Sequence, residues 1–296
     1  MNTPVPLSPV IAGCMKWGLW GSKFTTTQYL RLIEECVEAG ITSFDHADIY
    51  GEYTTEEEFG NALKEKPLLR KKIQIITKCG IKIVSPRRTH HKIKSYDTSK
   101  KHICSSVENS LQNLGTDYVD ILLIHRPDAL MHPQEIAEAF LLLKQQGKAL
   151  HFGVSNFTAT QMQLLNACFA VEFNQLEVSV AHLDPFHNGQ LDYCLEKKII
   201  PMAWSPMGGG KLLHAEEDNE KYRRIKAVTE ILAEKYNAEP QQILIAFLNT
   251  HPSGIIPVMG TSKIERLKLA LEAKKIKLER EEWYMLWRAS TGHEVP

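Results

Sequence analysis

Two hydrophobic periods alternate along the chain. At Tyr29, Leu32, Ile33, Cys36 and Val37 the apolar residues recur three and four apart, which puts them on one face of a helix ended by Gly40. Ile103, Val107, Leu111 and Leu114 make a second stripe closed by Gly115, and Ile136, Ala139, Phe140 and Leu143 a third closed by Gly147. Each stripe is followed by a short apolar, β-rich run. These runs are Ile41 to Asp45, Ile73 to Lys78, Tyr118 to Ile124, Leu150 to Val154, Val171 to Val178, Ile199 to Trp204 and Gly254 to Val258, with Pro9 to Ala12 as the opener. Strands separated by helices imply a parallel sheet, because a crossover that carries a helix does not join antiparallel neighbours. Eight such units in 296 residues favour an α/β fold of the (β/α)8 TIM-barrel type, as one domain over 1–296, over an open doubly wound sheet. No G-x-G-x-x-G follows the first run, which counts against a Rossmann half.

Three segments exceed a bare barrel. Gly80 to Ser99 is a long connection rich in Lys, Arg and His, a candidate lid or a solvated basic loop. Asp218 to Tyr236, with Ile225, Val228, Leu232 and Tyr236 at helical spacing, predicts an extra helix before the one that starts near Gln241. Arg280 to Ala289 predicts a final helix in which Trp283 and Trp287 anchor packing, followed by a tail, Gly292 to Pro296, that could reach the barrel mouth.

Composition narrows the partners. Thirty-five basic residues balance thirty-five acidic ones, so no global field recruits nucleic acid or an anionic membrane. No apolar stretch approaches the roughly twenty residues of a membrane span, and the first ten residues lack the pattern of a signal peptide. The six cysteines lie mostly in apolar runs with no C-x-x-C pair, which reads as reduced core thiols. A soluble, cytoplasmic protein acting on a small molecule is the expectation.

The chemistry concentrates where runs end. Asp45, Lys78 and His125 each sit at or just past the end of a run, and Tyr50 follows Asp45 by five residues. In barrels of this kind the carboxyl ends of the strands carry the site. A lone tyrosine is a weak acid, with a pKa of about 10. A neighbouring Lys78 should lower that value, and Asp45 should keep Lys78 charged and aimed. Hydride arriving at a carbonyl carbon leaves negative charge on oxygen, which a phenol and the imidazole of His125 can stabilise. The set matches carbonyl reduction better than hydrolysis or metal binding.

With these residues in place, the chain resembles the aldo/keto reductase superfamily. Asp45-x-x-x-x-Tyr50-Gly51, Lys78 and His125 match its catalytic tetrad. Gly153 to Phe157, Asn174-Gln175, Ala203 to Gly208, and Gly260-Thr261-Ser262 with Arg266 follow in the family's order, so the likeness covers nearly the whole chain. The wording around Asp45, His125 and Trp204 is similar to the bacterial YdhF-type oxidoreductases. The resemblance implies NADP as cofactor and a small-molecule carbonyl substrate. It places Ser155, Asn156 and Gln175 on the nicotinamide carboxamide and Trp204 against the ring, where the family usually has tyrosine. Ser205, Pro206, Met207 and Gly208, with the backbone on to Gly210, would follow the pyrophosphate, the glycines permitting close approach. Gly260, Thr261, Ser262 and Lys263, opening the helix of Arg266, would take the 2′-phosphate. Three features depart from the aldose-reductase pattern: Gly260 stands where a lysine is common, Leu269 and Ala270 stand where polar residues often follow Arg266, and the first-loop tryptophan is displaced to Trp17 and Trp20, which line the mouth or cover the barrel end.

Other readings compete. His46-x-Asp48 is a weak metal motif, and strand alternation turns His46 away from Asp45. A metal-dependent barrel hydrolase would use it. A cofactor-sensing regulatory module, resembling the potassium-channel β-subunits that also keep the tetrad, is the alternative to an enzyme.

Overall fold

A computed structural model describes residues 7–213 and 219–295. Asp218, the expected start of the extra helix, and Pro296 at the tail lie outside the described residues. The strands are β1 (Ile11–Gly13), β2 (Ser43–Asp45), β3 (Gln74–Cys79), β4 (Ile81–Lys82), β5 (Ser95–Tyr96), β6 (Val119–Ile124), β7 (Ala149–Ser155), β8 (Phe173–Glu177), β9 (Ile200–Trp204) and β10 (Ile256–Met259). Eight of them close into a barrel in the order β1-β10-β9-β8-β7-β6-β3-β2. Every pairing around this barrel is parallel. Each predicted apolar run overlaps one barrel strand. β4 and β5 form a separate antiparallel pair inside the basic segment 80–99.

The helices are α1 (Thr26–Glu38), α2 (Thr55–Glu65), α3 (Lys100–Leu114), α4 (Pro133–Gln145), α5 (Ala159–Asn166), α6 (Gln190–Lys197), α7 (Glu220–Lys235), α8 (Pro240–Asn249), α9 (Ile264–Glu272) and α10 (Arg280–Thr291). Their starts are specified locally. Thr25 and Thr158 build capping boxes with Gln28 and Gln161, satisfying N–H groups that the first turn leaves free. α3 stops at Gly115, which takes the left-handed conformation. Helices α2 and α3 approach closely at Gly60, where a Cβ would stand 2.1 Å from the Asn113 carbonyl oxygen. Any side chain there separates the two helices.

α7 and α10 are the predicted additions. Trp283 of α10 stacks on Phe247 of α8 at 4.7 Å, and its indole N–H donates to the Phe247 carbonyl. Trp287 packs edge-on against Phe186. Both tryptophans anchor this corner, as their spacing predicts. Among the described residues, no helix is long and apolar enough to cross a membrane, and the six cysteines are free thiols.

Two apolar layers hold the barrel. Outward-facing strand residues such as Phe44, Ile75, Leu122 and Val154 join the helices in one large core. Ile11, Ile76, Ile121, Leu123, Phe173, Met202 and Val258 fill the interior.

Candidate active site

Strand side chains alternate between faces, so a residue two beyond an interior residue faces the same way. Two beyond Ile76 is Lys78; two beyond Leu123 is His125; two beyond Phe173 is Gln175; two beyond Met202 is Trp204; two beyond Val258 is Gly260. The positions that fill the barrel below therefore define which side chains crown it.

Lys78 is fully buried, and its ammonium lies 2.7 Å from Asp45 Oδ1 and 2.8 Å from Oδ2. It also donates to the His46 carbonyl at 2.7 Å and to the Tyr50 phenol oxygen at 3.1 Å. Lys78 thus spends its three protons on Asp45, His46 and Tyr50. The Tyr50 and His125 rings meet edge-on at 6.0 Å. The four predicted residues come together from β2, the loop after it, β3 and the end of β6. Gln175 adds a link that sequence reasoning missed: its Nε2 donates to Asp45 Oδ1 at 2.8 Å across the barrel.

Burial sets the proton affinities. It works against charge on Lys78, but Asp45 and Tyr50 outweigh it and hold the ammonium above its ordinary value. Burial raises Tyr50, and Lys78 offsets only part of that rise. Lys78 does lower the Tyr50 pKa as expected, but desolvation of the phenolate exceeds that attraction and leaves the phenol above its ordinary value. His125 is driven well below its usual value by burial, then by Lys78, Arg126 and Lys94. Its Nδ1 is buried without a partner. At neutral pH the site holds an ammonium, a protonated phenol and a neutral imidazole.

The expected cofactor residues surround this cluster. The Ser155 hydroxyl donates to the Gln175 carbonyl, Asn156 Nδ2 to Ser155 Oγ, and the Trp204 indole to Asn156 Oδ1. Ser205, Gly208, Gly209 and Gly210 all take positive φ, from 51° to 96°. A Cβ on Gly209, Gly210 or Gly260 would meet nothing within 4 Å. The main chain at these glycines is open, so a dinucleotide could approach it closely. Trp17 donates to the Thr261 carbonyl, and Ser22 to the Ser262 hydroxyl, so the first loop braces the same wall. Lys263 is the N-cap of α9, and Arg266 lies in its first turn.

A model of the aldo/keto reductase family matches residues 9–290, nearly the whole chain. The chain belongs to the aldo/keto reductase family. Oxidoreductase YcsN of Bacillus subtilis is 45% identical over 98% of this chain and 96% of its own. Oxidoreductase YdhF of Escherichia coli is 41% identical over 95% of this chain and 93% of its own. The 6-dehydroglucose reductase of Agrobacterium fabrum is 39% identical over 100% of this chain and 98% of its own. This reductase is thus a nicotinamide-dependent oxidoreductase built on an eight-stranded barrel.

The two first-loop tryptophans of the reductase part company. Trp17 is fully buried among Phe24, Tyr29, Phe44 and Phe59, and belongs to the core. Trp20 is 38% exposed, 6.3 Å from the Tyr50 ring. Only Trp20 stands beside the tetrad.

His46 faces outward, as alternation requires, with its ring 4.4 Å from Phe59. It does not converge with Asp48 on a shared site, and among the described residues no group of His, Cys, Asp and Glu is spaced to hold a metal ion. Both ring nitrogens are buried without partners, and burial followed by the Lys78 charge pulls its pKa down to about 3. The unfolded chain, with a histidine near 6.5, takes up a proton that the folded chain refuses between those values. Stability present above pH ~6.5 is therefore lost as pH falls through that window, a contribution that His125 shares. His46→Leu should flatten the acid limb: the drop in Tm between neutral pH and pH ~5 should shrink. An unchanged drop would clear the His46 imidazole of this role.

The basic segment is pinned rather than free. The Ile83 N–H donates to the Tyr53 hydroxyl, Arg88 lies 4.7 Å over the Tyr53 ring, and Arg87 pairs with Glu57. Between this arm and α3 lies a polar cavity of about 350 Å³, lined by Asp48, Glu56, His91 and His102 among others. Thr77 donates to Glu56 Oε1, while Glu56 Oε2 and Asp48 Oδ1 are buried without partners. Burial raises both carboxyls. Nothing in the hydrophobic pattern announces this cavity, because its walls come from a loop and the polar side of a helix.

Proposed function

We propose that the chain is an NADPH-dependent reductase of aldehydes or ketones, with Tyr50 as the general acid. One observation carries the reading: Lys78, held by Asp45, donates to the Tyr50 oxygen at 3.1 Å and leaves the phenol proton available. When bound, the dihydronicotinamide supplies the hydride. Tyr50 gives its proton to the carbonyl oxygen as charge develops there, and the neighbouring ammonium stabilises the phenolate left behind. His125, neutral at working pH, offers one ring N–H that orients the carbonyl. Gln175 steadies Asp45 from the cofactor side. Catalytic work thus falls on Asp45, Tyr50, Lys78 and His125. Ser155, Asn156, Gln175, Trp204, the backbone of Ser205 to Gly208 and the segment Gly260 to Lys263 hold the dinucleotide.

Preference for NADPH over NADH rests on Lys263 and Arg266 at the start of α9, where a helix N-terminus and a guanidinium suit a phosphate. The name of the Agrobacterium relative, a 6-dehydroglucose reductase, suggests a hydroxylated aldehyde as one substrate to try.

Titration with NADPH and then NADH, read by quenching of tryptophan fluorescence, tests the reading. Absence of binding by either would overturn it. Bound NADPH that no small aldehyde or ketone oxidises would favour a regulatory module. Arg266→Ala should weaken NADPH by about 10–100-fold, the worth of charge-assisted hydrogen bonds, and NADH far less. Equal weakening of both would remove the 2′-phosphate from Arg266.

A further inference from the structure

An arginine that serves structure in this chain is clamped. Arg70 donates to the Asp120 carboxylate, the Thr116 hydroxyl and the Ile73 and Tyr118 carbonyls, and lies 3.9 Å over the Tyr118 ring. Arg126 is different. Half-buried and directly after His125, it has no carboxylate or hydrogen-bond partner among the described residues. Its guanidinium lies 5.4 Å from the centre of the Trp204 ring. The adjacent carboxylate is engaged elsewhere: Asp128 accepts from the Thr98 hydroxyl and the Leu130 N–H.

Position gives this free guanidinium a direction of use. It bridges the end of β6, where His125 would meet the carbonyl oxygen, and the end of β9, where Trp204 would meet the nicotinamide. Its charge is felt at His125, together with that of Lys94 from the basic arm. Trp20 stands against Tyr50 as an apolar wall of the same mouth. A guanidinium offers five N–H donors in a rigid fork and accepts nothing, so what satisfies it must be rich in oxygen acceptors.

We propose that Arg126 selects the substrate class: carbonyl compounds that carry a carboxylate or vicinal hydroxyls near the reacting carbon. This rests on the carbonyl-reductase reading above. Arg126 is thus a recognition residue, and the proton-transfer machinery works without it.

The experiment compares the full chain with its Arg126→Ala and Arg126→Lys variants, following NADPH oxidation by succinic semialdehyde, D-glyceraldehyde and benzaldehyde. Arg126→Ala should raise KM by about 10–100-fold for succinic semialdehyde, D-glyceraldehyde or both, with benzaldehyde unchanged. Loss confined to succinic semialdehyde identifies the carboxylate as the acceptor, and loss confined to D-glyceraldehyde identifies the hydroxyls. Arg126→Lys should rescue the charged substrate in part, since it keeps the charge without the fork. Equal loss on all three substrates, or loss on none, overturns the inference. So does a fall in NADPH affinity, read by tryptophan quenching, large enough to explain the losses. A wild-type chain that binds NADPH yet reduces none of the three removes the reductase reading itself, and this inference with it.

Discussion

Replacing Tyr50 by phenylalanine should cut carbonyl reduction by about 10²–10⁴-fold, the usual effect of removing a positioned acid. NADPH affinity should hardly change. The Lys78 ammonium then lacks one of its three acceptors but keeps Asp45 and the His46 carbonyl, so the fold should survive. Equal turnover by the variant would sink the role of Tyr50. On the proposed role of Tyr50, the same phenol should set the pH response of the wild-type enzyme. Burial holds its pKa above the ordinary value, so the acid form persists through neutral and mildly alkaline pH. Reduction should therefore stay flat there, while alcohol oxidation, which needs the phenolate as base, should climb with pH to beyond ~10. An oxidation profile that levels off near neutral pH would mean that the bound cofactor lowers the phenol far more than Lys78 alone does.

Lys78→Met has the second large effect, and it divides into two parts. Activity should fall by orders of magnitude, because the phenolate loses its neighbouring charge. Stability should fall too, by roughly 3–5 kcal/mol, because Asp45 stays buried without its cation. These parts come apart in the double variant Lys78→Met/Asp45→Asn. It removes the orphaned carboxylate and leaves an amide whose oxygen can still accept from Gln175 Nε2. Thermal or urea unfolding of the double variant should recover much of the lost stability while activity stays absent. If stability does not return, packing around the Lys78 stem, rather than the unpaired Asp45 charge, accounts for the loss.

Much of this architecture is legible in the residues alone, for identifiable reasons. Barrel strands are buried on both faces, so they read as short apolar runs, and the helices between them carry one-sided stripes that glycines close. β4 and β5 escape notice because two residues set up no periodicity. Asp45, Lys78 and His125 stand out because polar residues at the ends of apolar runs break the pattern. The direction of the Tyr50 shift does not follow from such spacing, since it depends on how far a phenol is desolvated in the assembled barrel. Trp17 and Trp20 show the same limit at side-chain scale: three residues apart and chemically identical, they are sorted into core and mouth by neighbours from α1, α2 and β2. The contact between Gln175 and Asp45 is hidden for another reason, because it joins strands on opposite sides of the closed sheet.

The alternation that carries interior residues up to reactive ones makes the barrel behave like a ratchet with two settings. A one-residue insertion or deletion within β3, β6, β8 or β9 would turn the crowning side chain toward the helices and bring its outward neighbour to the centre. Changes of any length between the strands leave the setting untouched. Strand length is therefore locked to the arrangement of the crowning side chains, while the connections that wall the mouth are free to diverge around an unchanged cluster.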